Sequence, residues 1–196
     1  MDRSRVHKEN GFTLIELLAG ILISSILLAG LYSVFFSQQI AFSAQEQVAE
    51  MNQNIRAALD LMTREIRLAG YKTSTSTFNG ITTATSNSIR ILADLNQNGD
   101  TAGEDEDISY TYNAGALQIC RIGSAPPEVP VADNVTNFSL QYTLKDGTVT
   151  SAPANPGDIR KVTISITART THPDQGTGTY RSITLSSDIA LRNLAF

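Results

Sequence analysis

Hydrophobic residues follow three successive patterns along this chain, and each predicts a different element. From Leu17 to Phe36 there are 20 residues without a charge, which as a helix would span roughly 30 Å at about 1.5 Å per residue, the thickness of a bilayer's hydrocarbon core. Beyond Phe36 polarity rises. Even so, Ile40, Ala44, Val48, Met51, Ile55, Leu59, Met62, Ile66 and Ala69 recur at steps of three and four, which is one apolar stripe of an amphipathic helix. No proline precedes Pro126, so nothing forces a break, and one continuous helix is predicted as far as Ala69. Arg64 and Arg67 suit the negative end of its dipole, and Gly70 suits the left-handed position beyond it. Arg56, Asp60 and Arg64, four residues apart, predict a ladder of exposed ion pairs.

Lys72 to Ser88 is rich in Ser and Thr, contains the turn signal Asn79-Gly80 and has no helical stripe, so it reads as a connecting loop. After it the period falls to two. Ile89, Ile91 and Ala93 alternate with Ser88, Arg90 and Leu92, Ile108, Tyr110 and Tyr112 alternate with Ser109 and Thr111, and Leu117 and Ile119 continue the pattern. Phe138, Leu140, Tyr142 and Leu144 run to the hairpin signal Asp146-Gly147, with a short return near Val149. Val162, Ile164, Ile166 and Ala168 form another alternating face, and Ile183, Leu185, Ile189 and Leu191 form the last. About six strands joined by turns predict an antiparallel sheet with one apolar face, which the helical stripe would cover. The expected class is therefore α+β, a long N-terminal helix packed on an antiparallel β-sheet.

Composition narrows the chemistry. Of the 196 residues, the stretch after the apolar helix is long enough for one globular domain. Net charge is -4, and an acidic outer domain argues against nucleic acid as a partner. Cys120 is the only cysteine, which excludes an intramolecular disulfide and reads as a small buried strand residue. The two histidines are His7, in the N-terminal flank, and His172, beside Pro173 in a polar stretch. That inventory is too thin for a catalytic triad or a transition-metal cluster, so no enzyme is expected.

The N-terminal flank carries Arg3, Arg5 and Lys8 against Asp2 and Glu9. A basic flank stays on the cytoplasmic side, which would leave the C-terminal part outside. The apolar run is too long for a secretory signal peptide, and no strong cleavage site of small residues follows it. Glu16 is the unusual residue, since a carboxylate within a membrane segment costs about 2.5 to 3.5 kcal/mol on insertion scales. Thr13-x-x-Glu16 is also a capping box, in which Glu16 would satisfy free N–H groups at the helix start.

Gly11-Phe12-Thr13-Leu14-Ile15-Glu16 resembles the class III signal of type IV pilins and type II secretion pseudopilins. The resemblance implies that a prepilin peptidase cuts between Gly11 and Phe12 on the cytoplasmic face and methylates the new amine of Phe12. It also implies that Glu16, fifth in the mature chain, pairs with the amine of a neighbouring pilin during assembly. On this reading 1–11 is a leader, 12–36 the transmembrane and assembly helix, 37–70 its amphipathic continuation and 71–196 a β-rich globular domain. The Gly70-Tyr71 junction, the Asp/Asn/Gly-rich hairpin and the final Leu191-Arg192-Asn193-Leu194 are similar to the PilW-type minor pilins, relatives of the J-type pseudopilins. The function so implied is a structural minor pilin, anchored in the inner membrane and then incorporated into a type IV pilus, priming assembly near its tip. A minor pseudopilin of type II secretion is the alternative, and a pilin-like adhesin or DNA-uptake subunit is another.

A second candidate site is Asp94-Leu95-Asn96-Gln97-Asn98-Gly99-Asp100. Oxygen side chains at alternate positions and a glycine at the sixth match the first half of a calcium loop. Position twelve is Asp105, where that pattern wants a longer glutamate. Asp94, Asn96, Asn98, Asp100 and Asp105 are therefore candidate Ca²⁺ ligands, in a strand context rather than an EF-hand. The competing reading is a solvated turn, for which Asp, Asn and Gly are the ordinary residues.

Overall fold

The computed structural model describes residues 11–73, 76–124 and 127–194. One helix, α1, runs from Leu14 to Leu68. The chain divides into two compact units between Ala44 and Gln45, a boundary that falls within α1.

In the first unit the helix stands uncovered. Leu17, Ile21, Leu28, Phe35 and their apolar neighbours are all more than half exposed, and the helix is long and apolar enough to cross a membrane. Each such side chain left in water forfeits about 1.5 to 3 kcal/mol relative to burial, so the surface calls for lipid or another apolar partner.

In the second unit the stripe is covered. Met51, Ile55, Ala58, Leu59, Met62 and Ile66 are buried, and they join one core with apolar residues from eight of the nine antiparallel strands found among the described residues. The first sheet runs in chain order: β1 (Ile81–Ala84), β2 (Ser88–Leu92), β3 (Asp107–Asn113), β4 (Gln118–Ile122) and β5 (Val129–Ala132). The second contains β6 (Val135–Leu144), β7 (Val149–Thr150), β8 (Ile159–Arg169) and β9 (Ser182–Ala190), in the order β7-β6-β8-β9. Both present alternating faces to the helix, as the period of two requires. Hydrogen bonds from Leu140 N–H to Ser86 O (2.8 Å) and from Tyr142 Oη to Thr85 O (2.8 Å) seam the sheets where the β1–β2 turn meets β6.

The expected α+β arrangement is present, with differences of detail. The strands form two sheets, because alternation fixes which face is buried but not which strands pair. The 72–88 segment is not all loop. It contains β1, whose only fully buried residue, Ile81, gives almost no alternating signal. Val129–Ala132 also forms a strand despite Pro130, which is tolerated because β5 is an edge. Leu117 precedes β4 and sits in a turn at φ 55°. The exposed ladder on α1 does not form: Arg64 Nε donates to the Asp60 carbonyl oxygen (3.4 Å), and no ion pair joins Arg56, Asp60 and Arg64.

The helix ends where glycine permits. Gly70 has φ 76°, and a side chain on Gly80 would place its Cβ 2.2 Å from the Gly70 nitrogen. That close approach lets Leu92 bond to both, accepting from Gly70 N–H (2.9 Å) and donating to Gly80 O (2.8 Å). Two residues on, Asp94 N–H donates to Tyr71 O (2.8 Å). The acidic connection between β2 and β3 is thereby anchored beside the helix C-terminus.

Candidate functional site

At the N-terminal site, Gly11 and Phe12 precede the helix and Phe12 is 89 % exposed. A Cβ on Gly11 would meet nothing within 4 Å, so no contact within the described chain requires glycine there. Thr13 and Glu16 form the capping box. Glu16 Oε2 accepts from both Thr13 N–H and Thr13 Oγ1 (2.9 Å each), and Glu16 N–H donates to Thr13 Oγ1 (3.4 Å). Every group in this box lies after the Gly11–Phe12 bond, so the cap is compatible with cutting there. Arg3, Arg5, His7 and Lys8 lie outside the described residues.

The acidic loop is held by two buried carboxylates. Glu106, 1 % exposed, accepts from Asn96 N–H (2.9 Å) and Gly103 N–H (2.7 Å), one on each oxygen. A side chain at Gly103 would put its Cβ 2.4 Å from Glu106 Oε2, so the Glu106 carboxylate would have to move away from Gly103 N–H. Asp94 is fully buried, and its Oδ2 accepts from Ser76 Oγ (2.9 Å) and Gly99 N–H (3.1 Å). Burial opposes its charge, but the bond from Ser76 and the nearby N–H groups of Gly99, Asn98 and Gln97 outweigh that and hold the carboxyl below its ordinary range. Asn96, Asn98 and Asp100 make three successive turns, each side-chain oxygen accepting the N–H two residues on at 2.9 Å.

Asp105 is engaged elsewhere. Its Oδ1 accepts from Arg121 (2.5 Å), whose guanidinium also contacts Glu65 on α1 at 3.0 Å. Glu65 in turn accepts from Tyr110 Oη (2.5 Å), and burial together with that bond pushes the phenol well above its usual range. This partly buried network ties helix, strand and loop together, and sequence reading missed it. Its one signal was Glu65, a charge beside the apolar stripe position Ile66. Among the described residues no group of three or more His, Cys, Asp or Glu side chains is arranged to hold a metal ion.

Two comparisons with known families divide the chain near the same point as its structure. A prokaryotic N-terminal methylation motif matches residues 6–32, and prepilin peptidase-dependent protein B matches residues 44–189. The chain belongs to the prepilin peptidase-dependent protein B family. No curated protein matches it significantly.

For a prepilin peptidase-dependent protein, the uncovered apolar helix fits membrane anchoring. Its role is that of a pilin-like structural subunit. Cys120 is buried on β4, where burial first, and then Glu128 and Asp133, push its thiol up to about 11. Such a thiol is inert at neutral pH.

Proposed function

We propose that this protein is a minor pilin of the PilW type, cut between Gly11 and Phe12 by prepilin peptidase, methylated on the Phe12 amine and inserted into a type IV pilus, where it primes assembly near the tip. The leader stays cytoplasmic, 12–36 crosses the inner membrane, and 71–196 faces outward until the subunit enters the filament. The observation that carries this reading is the exposed Gly11-Phe12 junction, with a glycine that the described chain itself does not need, followed by a cap lying wholly on the mature side. A glycine with no intramolecular reason is what an enzyme's narrow cleft would select.

Glu16 then has two functions. Its Oε2 caps its own helix, and its charge pairs with the ammonium of a neighbouring subunit, an exchange worth most in lipid, where an unpaired ion is costly. Substitution separates the two. Glu16→Gln preserves the capping box, which accepts Glu or Gln, but removes the charge. Glu16→Ala removes both, at about 0.5 to 2 kcal/mol for the cap. We expect both variants to insert in the membrane and both to be depleted from sheared filaments. Glutamine entering filaments like the wild type would reduce Glu16 to a cap. Mass spectrometry of the native N-terminal peptide tests the processing step, with a methylated Phe12 end expected. Loss of surface pili on deletion, with protein secretion intact, separates the pilus from a type II secretion machine.

A further inference from the structure

Asp94 carries a feature the fold leaves unused. Its residue exposure is 0 %, and although Oδ2 is satisfied, Oδ1 is buried with no hydrogen-bond partner. The N–H groups of Gln97 and Asn98 face the same carboxylate but close no bond to Oδ1, so the group is turned into the loop that curls around it. An ionised oxygen so placed is costly unless something pairs with it. The same loop carries the side-chain oxygens of Asn96 and Asn98. Each accepts one N–H, and an amide carbonyl has two lone pairs, so each keeps one for a second partner. Asp100 accepts on Oδ1 from Ala102 N–H (2.9 Å), which leaves Oδ2 outside that turn. The loop is also fastened beside the C-terminus of α1 through Tyr71 and Gly70, where the helix dipole presents partial negative charge and favours a cation.

We propose that this loop binds one calcium ion through Asp94 Oδ1, the side-chain oxygens of Asn96 and Asn98, and Asp100. Only oxygen donors are available, which selects a hard cation over zinc or copper. A loop closed by turns, with backbone and water able to complete the shell, suits the larger and less demanding Ca²⁺ better than octahedral Mg²⁺. Asp105 is not a ligand, because Arg121 holds it, and Glu106 is spent on Asn96 and Gly103. With two carboxylates and two amides the site belongs with weak calcium modules, Kd about 10⁻⁴ to 10⁻³ M.

The test uses the whole mature chain in detergent micelles, titrated calorimetrically with CaCl2 and, separately, MgCl2, and melted across the same concentrations. Saturable one-site calcium binding and a melting temperature that rises with calcium are expected, since a ligand of the folded form stabilises it by mass action. Asp100→Asn keeps the oxygen that accepts Ala102 N–H, so its metal-free melting reports whether the loop is intact. Calcium binding should weaken about tenfold or more with the lost charge. Asp105→Asn should bind calcium as the wild type does. No heat and no melting shift at about 10 mM calcium, undiminished binding by Asp100→Asn, or loss of binding in Asp105→Asn would each overturn the assignment.

Discussion

Residues 14–44 and 45–68 belong to one unbroken helix, yet they solve the burial problem in opposite ways. The first half is apolar on every side from Leu17 to Phe36, and its large apolar side chains there are exposed. The second confines its apolar residues to a stripe and covers that stripe with two sheets. The same local conformation therefore serves two surroundings, and the angular spread of hydrophobic residues, rather than their number, tells which is which. A helix apolar all round is made for lipid or for other helices, whereas a striped one is made for its own chain.

The sharpest way to break this comparison is to delete the same kind of side chain from each half. Ile66→Ala, at a site with no exposure, should cost about 2 to 5 kcal/mol of the C-terminal unit's stability through lost transfer energy and a residual cavity. Leu22→Ala, 62 % exposed in the wild type, should leave the same denaturant midpoint unchanged. Equal effects in micelles would mean that the halves are not separate in energy.

A smaller effect sharpens the comparison where the striped half ends. Gly80→Ala would drive a methyl into the Gly70 backbone, and overpacking of this kind costs about 1 to 3 kcal/mol. Hydrogen exchange should then accelerate first at the Gly70 and Leu92 amides, whose bonds depend on that approach.

The smallest expected effect lies far from the helix in sequence, in the β8–β9 connection. Arg181 and the N–H groups of Gly176 and Thr177 hold Asp174 below the usual carboxylate range. A depressed folded value contributes stability above the unfolded pKa of about 3.9, and that contribution is lost as pH falls through the folded value. Melting temperature measured downward from pH 6 should therefore decline below about pH 4, less steeply in Asp174→Asn. An unchanged slope would remove Asp174 from the acid transition.

Much of this architecture is legible because two periods are written into the residues. Met51, Ile55, Met62 and Ile66 announce a helix face, and Phe138, Leu140 and Tyr142 announce a strand face. What stays hidden is pairing. Alternation cannot say that β6 lies beside β8 while β4 lies beside β5, and a strand such as Ile81–Ala84, with one core residue, offers too few repeats. The sites divide in the same way. Thr13 and Glu16 find each other through local spacing, whereas Arg121 reaches Glu65 across 56 positions. The sequence pattern groups Asp105 with the acidic loop, and only the fold reveals that Arg121 has claimed it.

The strand order of the first sheet bears on how the domain comes together in time. From β1 to β5 every neighbour in the sheet is also the next strand in the chain, so each pairing joins consecutive segments, and since loop entropy grows slowly with length even the 93–106 connection costs little more than the others. The second sheet is nearly as local. The long reach is made by α1 toward the far end of the chain, as between Thr63 and Ser187, 124 positions apart. Low-separation pairings form quickly and high-separation ones slowly. The sheets can therefore assemble hairpin by hairpin, and docking of the striped half of α1 becomes the late, concerted step that makes the domain whole.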